Sequence, residues 1–268
     1  MPRFDRAVVR PPGATFAVGL TTAGLGAPDL ELAREQHDAY CRTLAEVGLE
    51  LVRLPPDPGL PDSTFVEDTA VVTAAGAVLA RPGAPARAGE TAAIAEVLDR
   101  LAIEVRTIVA PGTVDGGDVC EADGHFLIGL SSRTNVEGAR QLEAHFAELG
   151  FTSATIDVRG LGARLLHLKS GLSELGDGRL AVVPELVGHL ELARYELVAV
   201  DEAESYAANC VRVNDHVLVA AGSPRFAERL ERLGYRIRPL EMSEFRKMDG
   251  GLSCLSLRIP EGLRPGTG

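Results

Sequence analysis

A recurring unit constrains this chain more than any other feature. Each copy reads as an apolar strand, a Gly/Pro turn, an amphipathic helix and a second apolar strand. The first copy starts at Ala7-Val8-Val9-Arg10, with a helix in Leu30 to Val47 and a strand at Leu49 to Leu54. Its helix places Leu32, Tyr40, Leu44 and Val47 at helical spacing, and Gly48 stops it. A second copy runs from Ala70 to Val109, a third from Gly117 to Ile156, and the last from Asn209 to Ile259, ending in LSCLSLRI. Between them, Leu165 to Val200 carries strand-like LAVVP and a short helical piece, GHLELARY, and reads as a degenerate fourth copy. One such unit cannot bury both faces of its strands, so the copies must pack against each other. Five ββαβ-type units around an axis form an α/β propeller whose centre is a ligand funnel. A doubly wound sheet is the structural alternative, but PPGATF is a poor match to the Gly-rich loop it needs. No Ser/Gly linker or charge block divides residues 1–268, so one domain is expected.

The bulk numbers narrow the function. A formal charge of −11 and a pI near 5.1 argue against binding a phosphate backbone, which needs a Lys/Arg surface. An acidic chain keeps itself soluble and can also draw in a cationic ligand. Aromatics are only 4% of residues, which disfavours stacking on nucleic-acid bases. Cys41, Cys120, Cys210 and Cys254 form no CxxC pair, so neither a metal-ligand spacing nor a compact disulfide framework is present. MPRFDRAVVRPPG has no apolar signal core, and no apolar run is long enough to cross a bilayer. A soluble, cytoplasmic protein with reduced thiols and no membrane partner is expected. Nothing in the sequence opposes a homodimer.

Against mostly apolar strands, four polar clusters stand out: PDSTFVEDTAVV, GTVDGGDVC, LLHLKSG and KMDGGLSCLSLR. Each is expected at a strand edge in a different unit, where a propeller brings such edges together. Glu67 and Asp68, read on a strand, point to opposite faces, so only one meets a ligand directly. Asp115 and Asp118 flank Gly116-Gly117, whose backbone reaches conformations closed to other residues. His167 sits between leucines, where a histidine is more often structural than catalytic. Cys120 and Cys210 fit the role of small buried hydrophobes. Cys254 differs, because Gly250-Gly251 lets another group approach it closely.

In this order, FVEDTAVV, GTVDGGDV, LSSRTN, HLKS, VND and MDGGLSC resemble the dimethylarginine dimethylaminohydrolases, a family of the guanidine-modifying pentein superfamily. The resemblance spans about Gly19 to Leu257. It implies a five-bladed α/β propeller that hydrolyses methylated L-arginine to L-citrulline plus an alkylamine, with no required metal or organic cofactor. By position, Cys254 matches the nucleophile, His167 the general acid/base and Asp115 the carboxylate that orients the histidine. Asp68 matches the carboxylate that grips the guanidinium, and Leu20, Asp62 and Glu67 match further substrate contacts. Arg87 and Arg133 match the arginines near the substrate's α-carboxylate, and Met248 matches a backbone contact.

The chemistry suits these residue types. A guanidinium is a resonance-stabilised cation and a poor electrophile, and a carboxylate can clamp its nitrogens in plane. The thiolate, not the thiol, attacks, and a bound cation lowers a thiol's pKa. A histidine then protonates the departing amine and activates water. Three rivals are weighed. An arginine deiminase shares the fold and nucleophile but is usually longer, with a helical insertion. A non-catalytic binder of cationic amino acids needs no Cys/His/Asp set. A zinc ion captured by Cys254 and His167 lacks the four ligands of a structural site.

Overall fold

The computed structural model describes residues 3–161 and 165–263. Runs that are apolar at successive positions become middle strands, because both of their faces are covered. The first sheet holds β1 (Phe4–Val9), β2 (Glu50–Arg53) and β15 (Leu257–Pro260). The second holds β3 (Ala70–Thr73), β4 (Gly76–Leu79) and β5 (Val105–Thr107). The third holds β6 (Val119–Ala122), β7 (His125–Leu130) and β8 (Thr152–Asp157). The fourth holds β9 (Leu172–Gly176), β10 (Arg179–Val182) and β11 (Glu196–Ala199), and the fifth β12 (Val211–Val213), β13 (His216–Ala220) and β14 (Arg236–Leu240).

Each middle strand pairs antiparallel with an inner strand and parallel with an outer one. Parallel neighbours need a crossover, supplied by α1 (Leu30–Glu46), α2 (Thr91–Arg100), α3 (Val136–Glu148) and α4 (Pro224–Arg232). The Asp29 carboxylate caps α1 by accepting the Glu31 and Leu32 N–H groups, and the Asn135 side chain caps α3. In the fourth unit Pro184 and Gly188 interrupt the crossover, and short 3-10 turns at Pro184–Leu186 and Leu190–Leu192 replace the helix.

Side-chain alternation explains how the sheets assemble. Ala7 and Val9 enter a core shared with the fifth sheet, whereas Val8 enters one shared with the second. On β7, Phe126 and Ile128 pack toward the second sheet and Leu127 toward the fourth. Every sheet therefore buries one face against each neighbour. The inner strands β3, β6, β9, β12 and β15 all contribute to the lining of one axial cavity. This is the expected five-bladed α/β propeller, not a doubly wound sheet. No helix among the described residues is long and apolar enough to cross a membrane.

Two local expectations are corrected. LSCLSLRI does not end the last unit; it supplies the inner strand of the first sheet, with Val8 opposite Leu257 and Ala7 opposite Arg258. The first unit begins without an antiparallel partner for β1, and the far end of the chain provides it. Glu67 and Asp68 lie on a 3-10 turn (Val66–Thr69), not on a strand. Equivalent turns precede every inner strand: Gly116–Asp118, Leu168–Ser170, Glu202–Ala208 and Ser253–Leu255. The polar clusters are these turns, packed in series around the axis.

Candidate active site

A narrow cleft at one end of the axis is lined by Leu20, Asp62, Asp68, Arg87, Arg133 and His167, with Met248 and Cys254 closing it. Its free space is about 20 Å³, room for roughly one water. Three turns deliver the reactive groups: Val66–Thr69 brings Asp68, His167 caps Leu168–Ser170, and Ser253–Leu255 holds Cys254.

His167 Nε2 meets Asp115 Oδ2 at 3.1 Å, and both side chains are buried. Asp115 is pinned in turn by the Gly83 N–H, which donates to Oδ1 at 2.8 Å. Burial pushes the His167 pKa down, but the charges of Asp68 and Asp118 and the Asp115 hydrogen bond outweigh it and raise it to about 9. Burial likewise opposes ionisation of Asp115, yet His167 and Arg87 hold it below the usual carboxylate range. An imidazolium–carboxylate pair is the result. Asp118 stands behind it, accepting from Ser131 Oγ, Thr134 Oγ1 and the Leu168 N–H, with burial raising its pKa to about 6.

Asp68 accepts the Gly117 N–H at 2.9 Å through Oδ1 and Arg87 Nη1 at 2.7 Å through Oδ2. A Cβ on Gly117 would stand 2.7 Å from Asp68 Oδ1 and 2.8 Å from His167 Nδ1. That glycine is needed for space: neither it nor Gly116 has a positive φ, so the conformational reason expected from sequence does not apply. Arg87 also reaches Glu90 at 2.7 Å and the carbonyls of Asp62 and Phe65. One of its five N–H donors, on Nη1, is left for a ligand. Arg133 is the opposite case. Its Nη1 is buried without a partner among the described residues, at a position that lines the cleft.

Asp62 accepts the Leu20 N–H through both oxygens at 3.1 Å. Burial raises its pKa, with Arg87 and Arg133 pulling the other way. The strap from Leu20 is tied down where Thr21 Oγ1 donates to the Lys247 carbonyl at 2.8 Å.

Cys254 is 8% exposed, and burial together with Glu67 and Asp68 pushes its thiol up to about 12. Its turn is clamped from behind. Ser253 Oγ donates to Glu67 at 2.6 Å, and the Ser253 N–H donates to Asn209 Oδ1 at 2.9 Å. Gly251 leaves space for that amide, since a Cβ there would lie 2.3 Å from Asn209 Oδ1. The expected close approach beside Gly250-Gly251 is thus real.

Glu67, expected as a substrate contact, turns its carboxylate away from the cleft. That carboxylate binds Ser253, Lys169 at 2.7 Å and Arg258 at 3.0 Å, facing the axial cavity on the other side. Neighbours on a tight turn diverge, so Asp68 takes the cleft and Glu67 the reverse. Sequence reasoning missed Glu90 and Asn209 altogether. Glu90 lies three residues after Arg87, a spacing that could have suggested the pair. Asn209 carries no local signal.

Ligand atoms of Asp68, Asp115 and His167 lie within 4.8 Å of one another, a spacing that could hold a metal. Those atoms are already committed to Arg87, Gly117 and each other. A planar cation that donates hydrogen bonds fits the remaining lone pairs better than a bare ion.

Fold and cleft together define the class: the protein is a pentein, a propeller with cysteine, histidine and carboxylates at its axis. No family model matches the chain. It is 43% identical over 257 residues to the N(G),N(G)-dimethylarginine dimethylaminohydrolase of Pseudomonas aeruginosa, covering 96% of this chain and all of the relative. The Streptomyces coelicolor protein of that name is 37% identical, covering 96% of this chain and 97% of the relative. A solved structure of the Pseudomonas aeruginosa protein, a cysteine-to-serine mutant complexed with citrulline, superposes with a TM-score of 0.92 at 42% identity, covering 96% of this chain and 100% of that one. The chain belongs to the dimethylarginine dimethylaminohydrolase family.

Proposed function

We propose that the protein hydrolyses Nω-methylated L-arginine, as asymmetric dimethylarginine or monomethylarginine, to L-citrulline plus dimethylamine or methylamine. The observation that carries this reading is the cleft itself, which gathers Cys254, Asp68 and the charged His167 with Arg133, whose Nη1 has no partner among the described residues. Asp68 holds the guanidinium plane, Arg133 takes the α-carboxylate with what remains of Arg87, and Asp62 takes the α-amine beside Leu20 and Met248. Burial first, then the charges of Glu67 and Asp68, keep the free thiol protonated; the bound cation offsets the two charges and brings Cys254 toward its thiolate. Sγ attacks the central carbon, and the C–N bond to the methylated nitrogen breaks as His167 protonates it. Water, activated by His167, then hydrolyses the thiouronium and frees Cys254.

The chain acts as one catalytic domain, with no cofactor in these steps. Four free, buried thiols suit a reducing cytoplasm. A homodimer would leave the cleft intact, because its lining comes from one chain.

The test is incubation of the protein and of Cys254→Ser with asymmetric dimethylarginine, monomethylarginine and plain arginine, following citrulline and amine. Citrulline plus dimethylamine from the native protein only, with arginine inert, supports the reading. Ammonia released from arginine moves it to a deiminase with the same site. Inertness toward all three sinks hydrolysis and favours a binder of cationic amino acids.

A further inference from the structure

Cys254 borders a second cavity as well as the arginine cleft. The two share Leu166, Asp249, Gly250 and Cys254 and then diverge. The second cavity has about 480 Å³ of free space against about 20 Å³ for the cleft, and 480 Å³ lies within the range of pockets that take whole small molecules. None of Asp62, Arg87 and Arg133, the groups suited to an amino-acid head, lines it. Leu165, Leu166, Val183 and the Tyr206 ring share its lining with the charged Glu202 and Arg246. The Tyr206 hydroxyl is occupied, donating to the Gly250 carbonyl at 2.8 Å, so it presents mainly its ring.

On the hydrolase reading, a guanidine carbon held at Cys254 Sγ directs its amino-acid stem toward Asp62 and Arg133, in a cleft that must widen from its free volume to admit it. Leu166, one of the four residues shared by the two cavities, is the neighbour of His167, whose proton goes to the departing nitrogen. We propose that the second cavity receives the Nω-substituent on that nitrogen, and that the protein cleaves aliphatic substituents longer than methyl. This rests on the hydrolase reading above and deepens it. The step balances as for the methyl substrates. Sγ bonds to the guanidine carbon, the C–N bond to the alkylated nitrogen breaks, and His167 protonates the leaving alkylamine. Water then displaces Sγ, returning one proton to His167; the other is released and converts the free amine to its ammonium ion in solution.

The experiment compares Nω-propyl- and Nω-butyl-L-arginine with asymmetric dimethylarginine in the native protein, in Ser205→Trp and in Ser205→Ala, reading citrulline. Ser205 lines the second cavity, is absent from the cleft, and is partly exposed, so a larger side chain there leaves the core alone. The native protein is expected to process the longer substrates with kcat/KM within about tenfold of dimethylarginine, since a cavity with room for added methylenes does not reject them on size. Ser205→Trp should cut the longer substrates at least about tenfold and leave dimethylarginine within about twofold, with Ser205→Ala sparing both. Turnover of dimethylarginine with the longer substrates inert overturns the inference alone. So does an equal loss on all substrates in Ser205→Trp. Inertness of the native protein toward dimethylarginine defeats the hydrolase reading, and this inference with it.

Discussion

Two cavities lie on the propeller axis, separated by the layer that contains Glu67, and they treat buried acids differently. On the cleft side every acid is satisfied: Asp68 by Arg87 and Gly117, Asp115 by His167 and Gly83, Asp118 by two hydroxyls and an amide. On the reverse side Glu174 projects from β9 into a cavity of about 120 Å³, and neither carboxylate oxygen has a partner in hydrogen-bonding geometry among the described residues. Burial raises its pKa to about 8, against the pull of Arg212 and the Gly176 N–H. The same five turns and strands thus support an ionised, preorganised network on one side and a carboxyl that is easier to keep protonated on the other. Preorganised charge is what catalysis needs. An unsatisfied acid with no such arrangement is a cost to folding.

The sharpest way to break this contrast is Asp115→Asn. It keeps the shape but removes the carboxylate that charges and orients His167, so turnover of dimethylarginine should fall by about 10²–10⁴, and the melting temperature should drop as well because a buried ion pair is broken. A fall below tenfold would put Asp115 outside the catalytic network.

Next in size is the pH dependence. The His167 pKa is raised, to about 9, so its proton is held below that value and lost above it. kcat/KM should therefore decline on the alkaline side of about 9, roughly tenfold per pH unit. The stability that the His167–Asp115 pair contributes is fully present below the ordinary histidine value of 6.5 and disappears as pH rises through about 9. Flat activity profiles through that window would remove His167 as the acid. In the free protein, ultraviolet absorbance should show no Cys254 thiolate at neutral pH, because the thiol is pushed up to about 12.

The smallest effect on activity belongs to the reverse cavity. Glu174→Gln should change turnover by less than about twofold. It should stabilise the fold by roughly 1–3 kcal/mol above the raised pKa, the range for a buried polar group left unsatisfied. The sign follows from the raised pKa: the penalty is absent below the ordinary 4.5 and grows as pH climbs toward about 8. Thermal melts at acid and alkaline pH separate the two cases. A stabilisation equal at both ends would mean that Glu174 charge is not the cause.

The blades were legible in the sequence where local pattern decides structure. Helices α1 to α4 and the middle strands follow from apolar periodicity and Gly stops. Cys254, His167 and Asp115 were found as members of ordered motifs, and the cleft brings Cys254 and His167 together with Asp115 behind the histidine. What escaped was non-local or conformationally subtle. Val66 and Ala70 flank the two acids with apolar residues, so VEDTAVV imitates a strand until the turn before β3 is seen. Asn209 reaches Ser253 across 44 positions, and no spacing rule anticipates that.

The pairing of β15 with β1 sets an order of events during synthesis. Leu257 faces Val8, so the first sheet gains its inner edge only after β15, made about 250 residues later, has been synthesised. The cysteine lies on the turn immediately before that strand. A nascent chain can build the other four blades, with the histidine and its carboxylates already in place, and still lack the thiol in position. Closing the ring and seating the nucleophile are therefore one and the same pairing.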